Sequence, residues 1–329
     1  MLEDRDHTTG RGPGPLFLVG APRSGTTLVY KLLCLHPDTA WISNWVRRFP
    51  RAPQLSAMNS MASLLPEMRH RAWFAGDSNA YVYGTRRPLS QRLFPAPVEG
   101  EPVFRQAGLG EAEITDPAAT PEAVERLREA VGRIERFSGG RYFVNKRVAN
   151  NRRIPLLAQA FPSARFLEIV RDGRAVAHSL STVDWWADST VWWNGKTPRQ
   201  WEAEGGDPWE LCAQSWVEEL EATSRGLAMV APVRVMQVRY EELVAQPAQL
   251  LSEIAQFAGL PESREWWRAV SRCDIRPCRA SWRTALPEEA LATVEGVQSD
   301  MLRLHGYSPD PRFDRRPVRQ LQVEAPQAL

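Results

Sequence analysis

Lysine is almost missing from this chain. Of 41 cationic Lys and Arg residues, 38 are Arg and only Lys31, Lys146 and Lys196 are Lys. A codon bias towards Arg accounts for the general trend, so a Lys that persists marks a place where a compact ammonium is a candidate requirement. Cysteine is scarce too. Cys34, Cys212, Cys273 and Cys278 are too few for a disulfide scaffold. The last two, with four residues between them and no His nearby, make a poor zinc site, so all four read as structural thiols. Net charge is small: 41 cations against 39 acids leave +2, which predicts no general affinity for nucleic acid or anionic lipid. Long apolar runs are absent, none approaching the ~18 residues of a membrane span, and the opening MLEDRDHTTGRGPGP has no signal-peptide core. The expectation is a cytoplasmic protein.

What is present is ordinary for a folded globule: 43% apolar and 24% charged residues, in a chain long enough for one large α/β domain. Short apolar runs at Leu16–Val19, Ala40–Ile42, Tyr142–Asn145, Ala164–Val170 and Val233–Val238 read as buried strands. Between and after them, periodic segments read as helices: Thr26–Leu35, Thr120–Phe137, Ile154–Ala160, Gly173–Thr182, Trp209–Met229, Glu242–Phe257 and Glu288–Arg303. This alternation predicts a parallel sheet covered on both faces. Residues 1–14 read as a flexible arm, 15–307 as a single domain, and 308–329, with Pro309, Pro311, Pro317 and Pro326, as an exposed tail. Two stretches break the alternation. Residues 43–118 are proline-punctuated, and 184–206 open a segment reaching Trp216 that holds seven of the thirteen Trp; both read as insertions or a lid.

The strongest local signal is Leu16-Phe17-Leu18-Val19-Gly20-Ala21-Pro22-Arg23-Ser24-Gly25-Thr26-Thr27, an apolar strand entering a Gly-bounded loop that opens a helix. Loop amides and the helix start converge on an anion in such a setting. The spacing is that of the triphosphate loop, but Thr26 stands where that loop carries Lys, and the cation sits within the loop as Arg23. A second strand-to-helix turn runs Ile169-Val170-Arg171-Asp172-Gly173 and continues to Ser179. It places Arg171 at the sheet edge where α/β folds bind ligands, with Ser179 two helical turns along. Asp172 offers an alternative reading as a magnesium-holding acid, or simply as a helix cap.

Together these residues resemble the sulfotransferases that use 3′-phosphoadenosine 5′-phosphosulfate (PAPS), most closely the tyrosylprotein and bacterial branch. The resemblance covers residues 15–307. It implies a P-loop-like three-layer sandwich with a central parallel sheet of about five strands, no metal, a hydroxyl-bearing acceptor (small molecule, carbohydrate or natural product), and adenosine 3′,5′-bisphosphate as product. By the resemblance, Arg23, Ser24, Gly25, Thr26 and Thr27 hold the 5′-phosphosulfate, Arg171 and Ser179 the 3′-phosphate, and Tyr240, in Val238-Arg239-Tyr240-Glu241-Glu242-Leu243, lies along the nucleotide. Lys146 stabilises the leaving oxygen, with Arg23 beside it. Residues 279–286 and Leu304-His305-Gly306-Tyr307 resemble the segment that closes over the nucleotide.

The proton acceptor does not carry over. Where one branch of the family has Glu, this chain has Ser43 and Asn44; where another has His, it has Val148. His36, His70, Glu67, Asp77 and Asp184 are the remaining candidates. The Trp-rich segment either lines the acceptor pocket or packs the lid. The rival readings are a P-loop kinase or other triphosphate enzyme, favoured by loop spacing and opposed by Thr26, and a nucleotide-binding module without catalysis.

Overall fold

Runs of Val, Leu, Ile and Phe too short for helices pair with one another in the computed structural model, which describes residues 14–74, 88–109, 120–275 and 282–308. The strands are β1 (Leu16–Val19), β2 (Thr39–Ala40), β3 (Tyr142–Lys146), β4 (Arg165–Val170) and β5 (Val235–Arg239). They form one sheet in the order β2-β3-β1-β4-β5, with every pairing parallel. A parallel strand is covered on both faces, which is why β1 and most of β4 are apolar at successive positions.

The two faces separate by strand alternation. Leu16, Leu18, Val144, Leu167 and Ile169 pack with helix α1 (Thr26–Cys34) and with the helices Tyr240–Ala245, Pro247–Ala258 and Arg264–Val270. Phe17, Val19, Phe143 and Phe166 pack on the other side with the helices Pro121–Ser138 and Ile154–Ala160. A third apolar cluster joins the helices Gly173–Ser181, Pro208–Leu227 and Glu288–Leu304 around the buried Trp216. The result is the expected three-layer arrangement with a five-stranded parallel sheet.

Some boundaries differ from the sequence reading for local reasons. The helix expected over 242–257 is two helices, because Pro247 has no amide to donate and forces Gln246 out of helical geometry, to φ −135 and ψ 60. β5 begins at Val235 because Pro232–Arg234 wind as a short 3₁₀ turn. β2 ends at Ala40, after which the chain pairs with a distant segment: the Val98 amide donates to the Ile42 carbonyl at 3.0 Å, and Ser43 bridges Pro97 in antiparallel sense. The helix Arg264–Val270 was not anticipated; its Trp266 is buried, with Nε1 donating to the Leu32 carbonyl at 2.8 Å. Residues 1–13, most of the expected tail, Asp77, Cys278 and 279–281 lie outside the described residues. Among the described residues no helix is long and apolar enough to cross a membrane.

Candidate active site

The residues expected to hold the nucleotide, together with Lys146, lie at or just beyond the carboxyl ends of the strands, or on a helix leaving them. β1 runs into the loop at Gly20, β3 ends on Lys146 beside Leu18, β4 is followed by Arg171, and β5 is followed by Tyr240. This is the edge at which open α/β sheets bind ligands.

The loop between β1 and α1 is held open by backbone conformations that few residues adopt. Gly20 has φ +136, and a Cβ there would lie 2.4 Å from the Ile169 carbonyl oxygen. Its amide donates to Asn151 Oδ1 at 2.9 Å and its carbonyl accepts from Asn151 Nδ2 at 3.0 Å, so one fully buried side chain fixes the strand exit. Arg23 is the single non-glycine residue with positive φ among the described residues, at +69. Such a backbone is costly and persists where its surroundings impose it. Here the Arg171 Nη1 donates to the Arg23 carbonyl at 2.9 Å, and the Arg23 Nε donates to Ser179 Oγ at 2.9 Å. The Arg171 guanidinium also lies over the Tyr240 ring at 4.8 Å. Tyr240 in turn presses on Gly25, whose absent Cβ would fall 2.2 Å from the ring. The residues that the sequence divided between two phosphate sites therefore form one continuous wall.

Two features of this wall suit an anion. Ser24 Oγ is buried and has no partner among the described residues, a polar atom that ordinarily requires one. α1 starts directly at Thr26 with no side chain capping it, and a helix leaves its first amides without internal partners. Thr26 is buried and Thr27 half-buried at that start.

One strand away, Lys146 is buried, with Nζ 2.5 Å from Glu99 Oε1. Asn145 Nδ2 donates to the Glu99 carbonyl at 3.1 Å and accepts, through Oδ1, from Asn150 at 3.0 Å. Glu99 was not found from the sequence. It sits in the irregular stretch, 47 residues before Lys146, and the Ser43–Pro97 bridge brings it to the edge; no local motif marks it. Next to it, Arg147 pairs with Glu101 and stacks on Phe104 at 4.8 Å. Burial lowers its pKa to about 10.

The earlier base candidates lie elsewhere. His36 follows the far end of α1, its Nε2 2.9 Å from the Pro261 carbonyl and its Nδ1 accepting from the Asp38 amide at 3.2 Å. Glu67 pairs with Arg272 at 2.8 Å, and His70 stacks on Phe74. Asp184 is exposed. Asp172 caps its helix and holds Arg174 by two bonds of 3.0 and 2.9 Å, so both its oxygens are engaged. The described residues contain no cluster of metal-ligating side chains.

The tryptophans divide. Trp216 is core and Trp201 ties its own turn, donating to the Asp207 carbonyl at 2.9 Å. Trp185, Trp186, Trp192 and Trp193 line a cleft of about 340 Å³ that also contains Pro22 of the loop between β1 and α1, and Val148.

Comparison with known proteins bears on the family and the fold. Residues 15–264 match the profile described as the sulfotransferase family. Protein-tyrosine sulfotransferase 2 of Gallus gallus is 25% identical over 247 residues, covering 74% of this chain and 51% of that protein. Omega-hydroxy-beta-dihydromenaquinone-9 sulfotransferase Stf3 of Mycobacterium bovis is 25% identical over 266 residues, covering 75% of this chain and 63% of that protein. The chain thus spans half to two thirds of the length of these relatives. In fold, it is similar to sulfotransferase STF9 of Mycobacterium avium, with a TM-score of 0.58 at 19% identity over 91% of this chain and 78% of that one. With three quarters of its length matched by the profile, the chain belongs to the sulfotransferase family.

Proposed function

We propose that this enzyme moves the sulfuryl group of PAPS to a hydroxyl of its acceptor and releases adenosine 3′,5′-bisphosphate. The observation that carries this reading is the continuous wall from Gly25 through Tyr240, Arg171 and Arg23 to Ser179, one strand from a buried Lys146. A nucleotide with phosphates at both the 3′ and 5′ positions matches a wall with two cations and an adjoining helix start. The Tyr240 ring offers a flat surface beside it. The named targets of the relatives, protein tyrosine and an omega-hydroxy menaquinone, both present a hydroxyl.

In the reaction, the acceptor oxygen bonds to sulfur as the bond from sulfur to the bridging 5′-phosphate oxygen breaks, and the electron pair stays on that phosphate oxygen. Positioning and electrostatics supply most of the acceleration in transfers of this kind. Ser24, the Thr26 and Thr27 hydroxyls and the α1 amides hold the 5′ side. Arg171 and Ser179 hold the 3′-phosphate, and Arg23 touches both halves. Lys146 stabilises charge on the departing oxygen. Glu99 is assigned as the group that takes the acceptor proton, since its carboxylate lies 2.5 Å from the same ammonium and a proton acceptor must lie within hydrogen-bond reach of the reacting atoms. A triphosphate reading is disfavoured by Thr26 at the Lys position and by Asp172 being bound to Arg174.

Calorimetric titration separates the readings. Tight binding of adenosine 3′,5′-bisphosphate, unaffected by magnesium and stronger than that of ATP with magnesium, is expected. The reverse order overturns the proposal.

A further inference from the structure

The cleft beside Pro22 and Val148 has a composition that restricts what it can hold. Its walls are the indoles of Trp185, Trp186, Trp192 and Trp193, with Val191 between them, and its volume of about 340 Å³ is in the range of small-molecule pockets. Trp185 and Trp186 meet edge to face, at 6.1 Å and 87°. Trp185 is half-exposed and stands where solvent meets the cleft.

Most polar groups at the cleft are already engaged, while Trp193 Nε1 and Arg152 Nε are buried without a partner among the described residues. Glu219, fully buried, accepts from Trp192 Nε1 at 2.9 Å, Arg152 Nη1 at 3.0 Å and Asn151 Nδ2 at 2.7 Å. The Arg152 guanidinium lies over the Trp192 ring at 4.6 Å. Ser189 donates to the Trp185 carbonyl and Ser215 to the Leu211 carbonyl, each at 2.8 Å. The one acid and one cation lining the cleft thus neutralise each other. A charged peptide would find no counter-charge, and a sugar would meet few free hydrogen-bonding groups. A flat apolar ring system would instead meet indole faces on several sides.

The same network ties the cleft to the chemistry. Asn151, which binds Glu219, is also the residue that grips both polar groups of the Gly20 backbone. Val148, which lines the cleft, follows by two residues the strand end that carries Lys146.

We infer that this cleft is the acceptor site and that the acceptor is an uncharged, flat, largely apolar phenol or polycyclic alcohol, in preference to an acidic tyrosine peptide or a sugar. The inference rests on the sulfuryl-transfer reading above. The Arg152–Glu219 pair acts through the indole it fixes, and is a positioning element.

The test uses the full chain and three probe acceptors: β-naphthol, a tyrosine peptide rich in Asp, and N-acetylglucosamine. Calorimetry first measures adenosine 3′,5′-bisphosphate and then β-naphthol on the bisphosphate-saturated protein. Transfer from sulfur-labelled PAPS is then followed for each probe. β-Naphthol should bind and show a kcat/KM at least about tenfold above either alternative. Trp193→Ala should raise KM for β-naphthol by about tenfold or more, with kcat and bisphosphate affinity within about twofold. Ala149→Phe, which fills the cleft without removing an indole, should raise the same KM. Bisphosphate binding without β-naphthol binding, a preference for the peptide or sugar, or equal losses of both ligands in the variants overturns this inference and leaves the transfer reading standing. Failure of the wild-type chain to bind the bisphosphate overturns the transfer reading and the acceptor inference with it.

Discussion

Gly25→Ala concentrates the geometry of the proposed nucleotide wall in one methyl group. The added Cβ would lie 2.2 Å from Tyr240 Cδ2 and 2.5 Å from Cε2. Contact between carbons is favourable at roughly 3.5–4.0 Å, so the ring must retreat by more than about 1 Å. It cannot do so alone, because the Arg171 guanidinium rests on it and also holds the Arg23 carbonyl. A left-handed backbone adds a cost of roughly 1–2 kcal/mol for a residue with a Cβ, here at φ +87. Overpacking of a fixed ring adds roughly 1–3 kcal/mol. If the displaced ring carries Arg171 with it, bisphosphate affinity falls by about 10–100-fold, since about 1.4 kcal/mol is a factor of ten. Calorimetry and thermal melts should be run on Gly25→Ala, Tyr240→Ala and the double variant. Removing the ring removes the clash but not the backbone cost, so Gly25→Ala should cost less in the Tyr240→Ala background. Wild-type affinity in Gly25→Ala, or the same cost in both backgrounds, would refute the reasoning.

Three further outcomes follow from individual contacts. Glu99→Gln keeps the shape of the side chain and removes the proposed proton acceptor; kcat should fall by roughly 10²–10⁴-fold with bisphosphate affinity unchanged, as read by single-turnover transfer. Asn151→Ala leaves the Gly20 backbone and Glu219 without a shared buried partner, and should lower stability by roughly 2–4 kcal/mol in denaturant melts while weakening bisphosphate binding. Glu168 is buried on β4, accepts from Gln237 at 2.7 Å, and has its pKa raised from 4.5 to about 7 by burial. The folded state therefore retains a proton that the unfolded chain releases, so stability falls as pH rises from about 4.5 through about 7. Glu168→Gln has no such proton and should flatten that slope, gaining up to roughly 3 kcal/mol relative to wild type above the window. Glu135 has a pKa raised by burial to about 7 as well, but contributes equally to both proteins, so the difference between them isolates Glu168.

Legibility in the sequence followed contiguity. The strand–loop–helix unit at residues 16–34 was readable because its parts are consecutive residues, and Arg171 with Ser179 because both belong to one strand-to-helix turn. Lys146 stood out through the rarity of Lys at a strand end. Glu99 was hidden, since it reaches the site through the pairing of residues 42–43 with 97–98, a long-range contact that no local pattern encodes. Asn151 was equally silent: a polar residue in a short 3₁₀ turn, whose importance comes from Gly20 and Glu219, distant in the chain. The break at Pro247 was available from the sequence, and was outweighed there by the apolar periodicity on either side of it. The tryptophans could not be sorted by spacing, because core Trp216 and the cleft indoles belong to the same aromatic-rich stretch.

The central claim is that the sulfuryl group of PAPS is transferred at the edge where Lys146 and the Arg23 loop meet. The most direct measurement is single-turnover release of label from sulfur-labelled PAPS onto a hydroxyl acceptor, with wild type and Lys146→Ala compared at saturating nucleotide. Wild type should form labelled ester, and Lys146→Ala should do so at least about a hundredfold more slowly while binding adenosine 3′,5′-bisphosphate within about threefold of wild type. Transfer at the same rate in both proteins would contradict the account.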